Sequence, residues 1–221
     1  MENNNRLIIA VDGPAGSGKS TAAKIIAKKL NIEYVDSGSI YRGITKKILD
    51  NNIKIEDYDK IISLLKELDI NLFSGNIIIN GEDFTPYIRS KEVTELVSPV
   101  SANTDIRQKV NAFLVFYSEN RSIIMDGRDI GTVVFPFANY KFYLDASVDI
   151  RALRRFKEGH NNMTLDEIKN SISKRDESDK NKSFGALKIA DDAIYLDTTL
   201  LSIDEVVDKI ISFIKYNGEK I

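Results

Sequence analysis

Short apolar runs alternate along the chain with segments whose apolar residues recur every three to four positions, and this alternation predicts an α/β fold on a mainly parallel sheet. Leu7 to Val11, Glu33 to Val35, Ser122 to Met125, Lys141 to Leu144 and Ala193 to Leu196 read as the core strands. Leu7-Ile8-Ile9-Ala10-Val11 is apolar throughout, as a strand covered on both faces would be. The segment Thr21 to Leu30 places Ala22, Ala23, Ile26, Ala27 and Leu30 on one helical face. The last helix carries the stripe Ile203, Val206, Val207, Ile210, Ile211 and Ile214 behind a capping box of Ser202 and Glu205. Each candidate strand ends in or near an aspartate, so Asp12, Asp36, Asp126, Asp145 and Asp197 are expected at the carboxyl edge of the sheet, where open α/β folds bind ligands. Asp145 and Asp197 are expected chiefly to cap the helices that follow them.

Two stretches break the alternation. Asn71-Leu72-Phe73, Asn76 to Ile79 and Glu82-Asp83-Phe84 are separated by Ser74-Gly75 and Asn80-Gly81, both short-hairpin signals, which predicts a small antiparallel meander inserted within 69–90. Phe156 to Leu187 is polar and charged, with a helix that starts at the capping box Thr164-Leu165-Asp166-Glu167 and runs towards Asp179. Beside a nucleotide site, such a segment is expected to be a mobile lid, 156–187.

Composition then narrows the class. At 221 residues the chain buries a sizeable core as one domain, 1–221. A formal net charge of −2 leaves no basic footprint for nucleic acid, so the expected anion is small. The absence of cysteine excludes disulfides and thiolate metal sites. Met-Glu-Asn-Asn-Asn-Arg lacks the basic-then-apolar pattern of a signal peptide, and no apolar run approaches the length of a membrane span. The expectation is a soluble cytoplasmic enzyme without membrane association, and, with no long coiled-coil pattern, a monomer.

The chemistry is carried first by Gly13-Pro14-Ala15-Gly16-Ser17-Gly18-Lys19-Ser20, a G-x-x-x-x-G-K-S motif placed between the first strand and the first helix. Its glycines let backbone N–H groups crowd around phosphate oxygens, Lys19 reaches the β- and γ-phosphates, and Ser20 can hold Mg²⁺. Asp126-Gly127-Arg128-Asp129 follows an apolar strand, which places Asp126 to orient Mg²⁺ or its waters and Arg128 to neutralise a phosphate. Arg42, Arg107, Arg154, Arg155, Arg175, Lys180 and Lys182 are more cations than one triphosphate needs, and imply two phosphorylated ligands. His160, the sole histidine, lies in a polar loop and reads as surface. A phosphate monoester, with a second pKa near ~6, arrives largely ionised at neutral pH and needs clamping rather than a base.

Gly13 to Thr21, Asp36-Ser37-Gly38-Ser39-Ile40-Tyr41-Arg42, Asp126 to Thr132 and Arg175-Asp176-x-x-Asp179 together closely resemble the bacterial cytidylate kinases over nearly the whole chain. The inserted meander is similar to the enlarged monophosphate-binding region, here 37–120, that separates that family from shorter adenylate-kinase-like enzymes. The resemblance implies a P-loop NTPase fold of adenylate-kinase type, with a five-stranded parallel sheet flanked by helices, a small antiparallel β insertion and a helical lid. It implies ATP, with Mg²⁺, as donor to CMP or dCMP. By the same resemblance Gly13 to Thr21 and Arg154 bind ATP, Arg42 and Arg128 hold the phosphate of the acceptor, Arg175 and Asp179 in the lid match positions associated with the sugar and phosphates, and Ser37 belongs to the substrate-binding set. Ser98, Arg107 and Asp129 occupy the positions that read the base, and Lys19, Arg128, Arg175 and Lys182 act on the transferring phosphoryl group. Cytosine offers an N4 donor and an N3 acceptor, which suit Asp129 with Ser98 and Arg107 respectively. Ser37 and Ser98 are alternatively helix caps, and Arg154 or Arg155 a surface ion pair. The chain departs from the family pattern at Lys182, where arginine is usual, at Ser183 to Leu187, which lacks the usual proline, and at Leu114-Val115, where Gln-Arg is expected. Another small-molecule P-loop kinase, acting on shikimate or a different monophosphate, would share the first motif and the lid but need another acceptor pocket. A nucleotide-dependent switch would call for D-x-x-G and N/T-K-x-D motifs, neither of which the chain contains.

Overall fold

The computed structural model describes residues 6–73, 75–159 and 163–217. In chain order the elements are β1 (Ile8–Asp12), α1 (Lys19–Leu30), β2 (Glu33–Asp36), α2 (Ser37–Asp50), α3 (Tyr58–Glu67), β3 (Ile70–Phe73), β4 (Asn76–Ile79), β5 (Glu82–Asp83), α4 (Lys91–Ala102) and α5 (Thr104–Ser118). There follow β6 (Ile123–Gly127), a π-helical turn (Ile130–Val134), β7 (Tyr140–Asp145), α6 (Val148–Lys157), α7 (Leu165–Lys180), β8 (Ile194–Asp197) and α8 (Ile203–Asn217). The five core strands form one sheet in the order β2-β6-β1-β7-β8, with β1 parallel to both β6 and β7. The chain divides into two compact units, one of residues up to Tyr34 and from Asn120 on, the other Val35–Glu119.

In the first unit β1 is buried at every position, which is why it shows no polar alternation. α1 and α8 supply the predicted stripes to a single core: Ala22, Ala23 and Ile26 from α1 meet Val206, Val207, Ile210 and Ile214 from α8, with Ile9, Val11, Ile124, Phe142 and Leu144 from the sheet. Ser202 and Glu205 exchange the reciprocal bonds of a capping box ahead of α8. A smaller cluster of Ala152, Ile168 and Ile172 with Val148 holds α6 against α7, and Thr164 with Glu167 caps α7 as its sequence requires.

In the second unit β3, β4 and β5 form the expected antiparallel meander. Asn80 and Gly81 both take positive φ, 52° and 79°, which fits the two-residue turn between β4 and β5. α2 lies so close to β4 that a Cβ at Gly43 would sit 2.8 Å from the Ile79 side chain. Leu114, standing where the family pattern has glutamine, is buried in α5.

Two caps differ from expectation. Asp145 accepts from Ala146 N–H at 2.8 Å and Asp197 from Thr199 N–H at 2.8 Å, so both serve the loops at the sheet edge, whereas Ser147 and Ser202 cap α6 and α8. A short polar side chain one helical step nearer the first turn reaches its N–H groups better than a strand-end carboxylate.

Candidate active site

β1 delivers the chain directly into the glycine-rich loop. Gly13 has φ 144°, and a Cβ there would lie 2.0 Å from Leu144 O, so no side chain fits. Gly18, at φ 91°, turns the loop into α1, whose first residue is Lys19. Lys19 Nζ donates to Pro14 O at 2.6 Å and to Ser17 Oγ at 3.3 Å. Burial, reinforced by the positive charge of Arg128, pushes the Lys19 ammonium down to about 7. Ser20 Oγ donates to one oxygen of Asp126 at 2.7 Å, and Tyr34 Oη to the other at 2.7 Å. Asp126 is thus oriented by two hydroxyls at the end of β6, one of which the sequence reading did not include. Thr21 lies exposed in the first turn of α1.

Among the described residues Arg154 meets hydroxyl and backbone oxygens rather than a carboxylate. Its guanidinium donates to Thr198 Oγ1 at 3.1 Å and Thr198 O at 2.6 Å, and lies beside Gly18, where a built Cβ would be 4.0 Å away. The Thr198 hydroxyl, with one proton to give, lies 2.9 Å from Asp145 O and 3.2 Å from Ser17 O.

A second group of charges gathers around Asp179 near the end of α7. Arg128 Nε donates to Asp179 Oδ2 at 2.8 Å, Lys182 Nζ approaches Oδ1 at 2.9 Å, and Arg175 Nε lies 4.0 Å away. Burial disfavours the charged carboxylate, yet Arg128 and then Lys182 outweigh it and hold Asp179 down at about 2. Lys182 thereby keeps a cation at the position where arginine is usual, but through a single donor rather than a fork. Asp129 is buried at the entry to the π-helical turn.

In the second unit Asp36 caps α2 through Ser39 N–H, so Ser37, its buried first residue, is not the cap. Ser98 is likewise no cap: it lies inside α4 ahead of Pro99, and Ser90 caps that helix. Arg42 Nη1 reaches Ile88 O at 3.4 Å and Thr94 Oγ1 at 3.3 Å. Arg107 is buried on α5, donates to Ser101 O at 3.0 Å and lies 5.5 Å from the Tyr41 ring centre. His160 falls outside the described residues, as do Met1 to Asn5.

Sequence reasoning missed Arg151. From α6 its Nη1 donates to Ala15 O in the glycine-rich loop at 3.1 Å and to Asp176 Oδ2 in α7 at 2.6 Å, and its Nε to Ala146 O at 2.8 Å. The two charged side chains are only 5% and 11% exposed, so deleting either strands the other in low dielectric. We expect Arg151→Met to cost about 3 kcal/mol or more, a fall in Tm of roughly 6 to 12 °C in a chain of this size. Thermal unfolding followed by circular dichroism measures it, and an unchanged Tm would reject the pair as a structural bridge.

A parallel sheet with a G-x-x-x-x-G-K-S loop after its central strand, and a second cation cluster on a separate helix, define a small-molecule kinase of the P-loop class. Solved structures agree on the fold: a shikimate kinase from Acinetobacter baumannii in complex with shikimate superposes with a TM-score of 0.51 at 16% identity, covering 98% of this chain and 97% of its own. One from Bacteroides thetaiotaomicron gives 0.51 at 13% identity, over 95% and 98%. The cytidylate kinase family model matches residues 9–216. A cytidylate kinase of Geobacillus sp. (strain WCH70) is 44% identical over 97% of this chain and 98% of its own length, and one of Listeria monocytogenes serotype 4a (strain HCC23) 45% identical over 94% and 95%. The chain belongs to the cytidylate kinase family.

Proposed function

We propose that this enzyme transfers the γ-phosphate of ATP to CMP or dCMP, giving ADP with CDP or dCDP. The observation that carries the reading is the second cation cluster: Arg128, Arg175 and Lys182 surround Asp179, in addition to the lysine of the phosphate loop. Two sets of cations suit two phosphorylated ligands. An ionised oxygen of the monophosphate attacks the γ-phosphorus, the bond from that phosphorus to the β,γ-bridging oxygen breaks, and its electron pair leaves with ADP. Catalysis then consists of positioning and charge stabilisation, with no histidine base required. Lys19 and the loop from Gly13 to Thr21 bind the ATP phosphates, with Arg154 beside them. Arg128, Arg175 and Lys182 neutralise the phosphoryl group in transfer. Ser37, Arg42, Arg128, Arg175 and Asp179 bind the acceptor's sugar and phosphate, and Ser98, Arg107 and Asp129 read the cytosine.

The oxygen donors Ser20 Oγ and Asp126 suit a hard cation that keeps waters and takes its other ligands from substrate phosphates. Those two residues would hold Mg²⁺, whose charge offsets that of the phosphates. Residues 37–120 form the CMP-binding region and 156–187 the lid, which excludes water so that ATP is not simply hydrolysed. No helix among the described residues is long and apolar enough to cross a membrane. The net charge of −2 and the lack of a coiled-coil pattern support a cytoplasmic monomer without a nucleic-acid partner.

Coupled ADP production with ATP and Mg²⁺ tests the function, with CMP, dCMP, UMP, AMP and shikimate offered separately and each product weighed by mass spectrometry. Fast turnover is expected with CMP and dCMP alone. Preference for another acceptor would overturn the cytosine-reading roles, and ADP release without a phosphorylated product would overturn the kinase assignment.

A further inference from the structure

The turn that follows Arg128 and Asp129 is held by a residue from another strand. Ile130 to Val134 wind as a π-helical turn: Val134 N–H bonds to Asp129 O at 3.3 Å and Phe135 N–H to Ile130 O at 2.7 Å. The first N–H groups of any helical turn lack partners within it, and the residue in Asp129's position ordinarily supplies one from its own side chain. Asp129 makes no such capping bond. Instead Asp12, at the end of β1, takes both: Oδ1 accepts from Ile130 N–H at 2.9 Å and Oδ2 from Gly131 N–H at 2.7 Å.

Asp12 is 4% exposed, so these bonds form in low dielectric, where an unmet N–H is costly. Burial pushes its carboxyl up to about 6, Asp129 pushes in the same direction, and Lys19 with the two N–H bonds pulls it back. Above pH 7 it is therefore ionised and accepts both bonds. The fit is close: a Cβ at Gly131 would stand 3.3 Å from Asp12 Oδ2 and 3.2 Å from Lys141 Cδ.

We propose that Asp12 is a positioning residue for substrate selection, a cap supplied from β1 that spares the Asp129 carboxylate this task and fixes the direction in which Arg128 and Asp129 leave the strand. The inference rests on the assignment of Asp129 to cytosine. Asp12 touches no substrate. With Asp12 in place the two N–H groups are satisfied from β1; without it, Asp129, which occupies the cap position, is the residue whose side chain would be drawn to them.

The test compares the parent enzyme with Asp12→Asn and Gly131→Ala at pH 7.5. In the first, one amide N–H₂ opposes a backbone donor; in the second, the added methyl, 3.3 Å from Oδ2, presses the carboxylate a few tenths of an ångström away from its bonds. Both are expected to fold by circular dichroism and to lose about tenfold in the ratio of kcat/KM for CMP over UMP, with a raised KM for CMP and an ATP KM within about twofold of the parent, in line with one to two buried hydrogen bonds. A merely structural carboxylate would lower stability or kcat without moving that ratio. Folded variants that keep the parent's CMP over UMP ratio overturn the inference, and loss of fold in both assigns Asp12 to structure alone and overturns it as well. A parent enzyme without cytidine preference sinks the reading of Asp129 itself, an outcome distinct from either.

Discussion

Lys19→Ala is expected to lower turnover about a thousandfold while leaving the fold intact, because it removes the one ammonium built into the phosphate loop. Lys19 Nζ rests on Pro14 O and Ser17 Oγ, acceptors that a triphosphate replaces with charged oxygens. The same exchange has a pH signature. Burial and the charge of Arg128 push the Lys19 ammonium down to about 7, so at pH 8 it is mostly neutral, and a bound triphosphate restores its charge. ATP binding at pH 8 should therefore take up close to one proton, and the uptake should vanish in the alanine variant. Calorimetry in buffers of different ionisation enthalpy reads this directly. Equal proton uptake in parent and variant would show that another group titrates, and a variant with more than a tenth of parental turnover would remove Lys19 from the transfer step.

Asp129→Ala is expected to reduce the preference for CMP over UMP by roughly 10- to 100-fold, the worth of a buried hydrogen bond to a charged group, with little change in the KM for ATP. Cytosine presents an amino donor where uracil presents a carbonyl, so a buried carboxylate attracts the first and repels the second. Alanine removes both effects at once, which makes the ratio of kcat/KM values for the two monophosphates the sensitive readout. A ratio unchanged in the variant would transfer the reading of the base to Ser98 and Arg107.

The fold was legible because its signals are local and redundant. All five core strands fall within one or two residues of the apolar runs, the turn at Asn80-Gly81 has the chemistry its geometry demands, and the capping boxes at Thr164 and Ser202 mark α7 and α8 where those helices start. The phosphate loop was legible for the same reason. What stayed hidden are contacts between residues far apart in sequence. Arg151 sits one turn after Val148 on the stripe that ends in Ala152, and Asp176 continues the spacing of Ile168 and Ile172. An arginine and an aspartate on facing apolar stripes are a readable sign of a buried pair, and that sign lay in the sequence unused. Tyr34 gave less warning: an aromatic in a short strand reads as packing, and only the geometry turns its hydroxyl towards Asp126. The π-helical turn after Asp129 has no sequence signature to offer.

The phosphate loop owes its orientation to residues outside it. A peptide unit is planar and trans, so its N–H points opposite to its carbonyl. Ala15 O accepts from Arg151, 136 residues downstream, and Ser17 O faces the hydroxyl of Thr198, 181 residues downstream, which it shares with Asp145 O. With Ala15 O anchored, the N–H of Gly16 is committed to the opposite side and cannot flip without breaking that tie, and a flip at Gly18 would give up the contact of Ser17 O with Thr198. The eight-residue motif is thus not a portable part. Grafted into a scaffold that lacks an arginine and a threonine at the matching places, it would keep its letters and lose the direction of its dipoles.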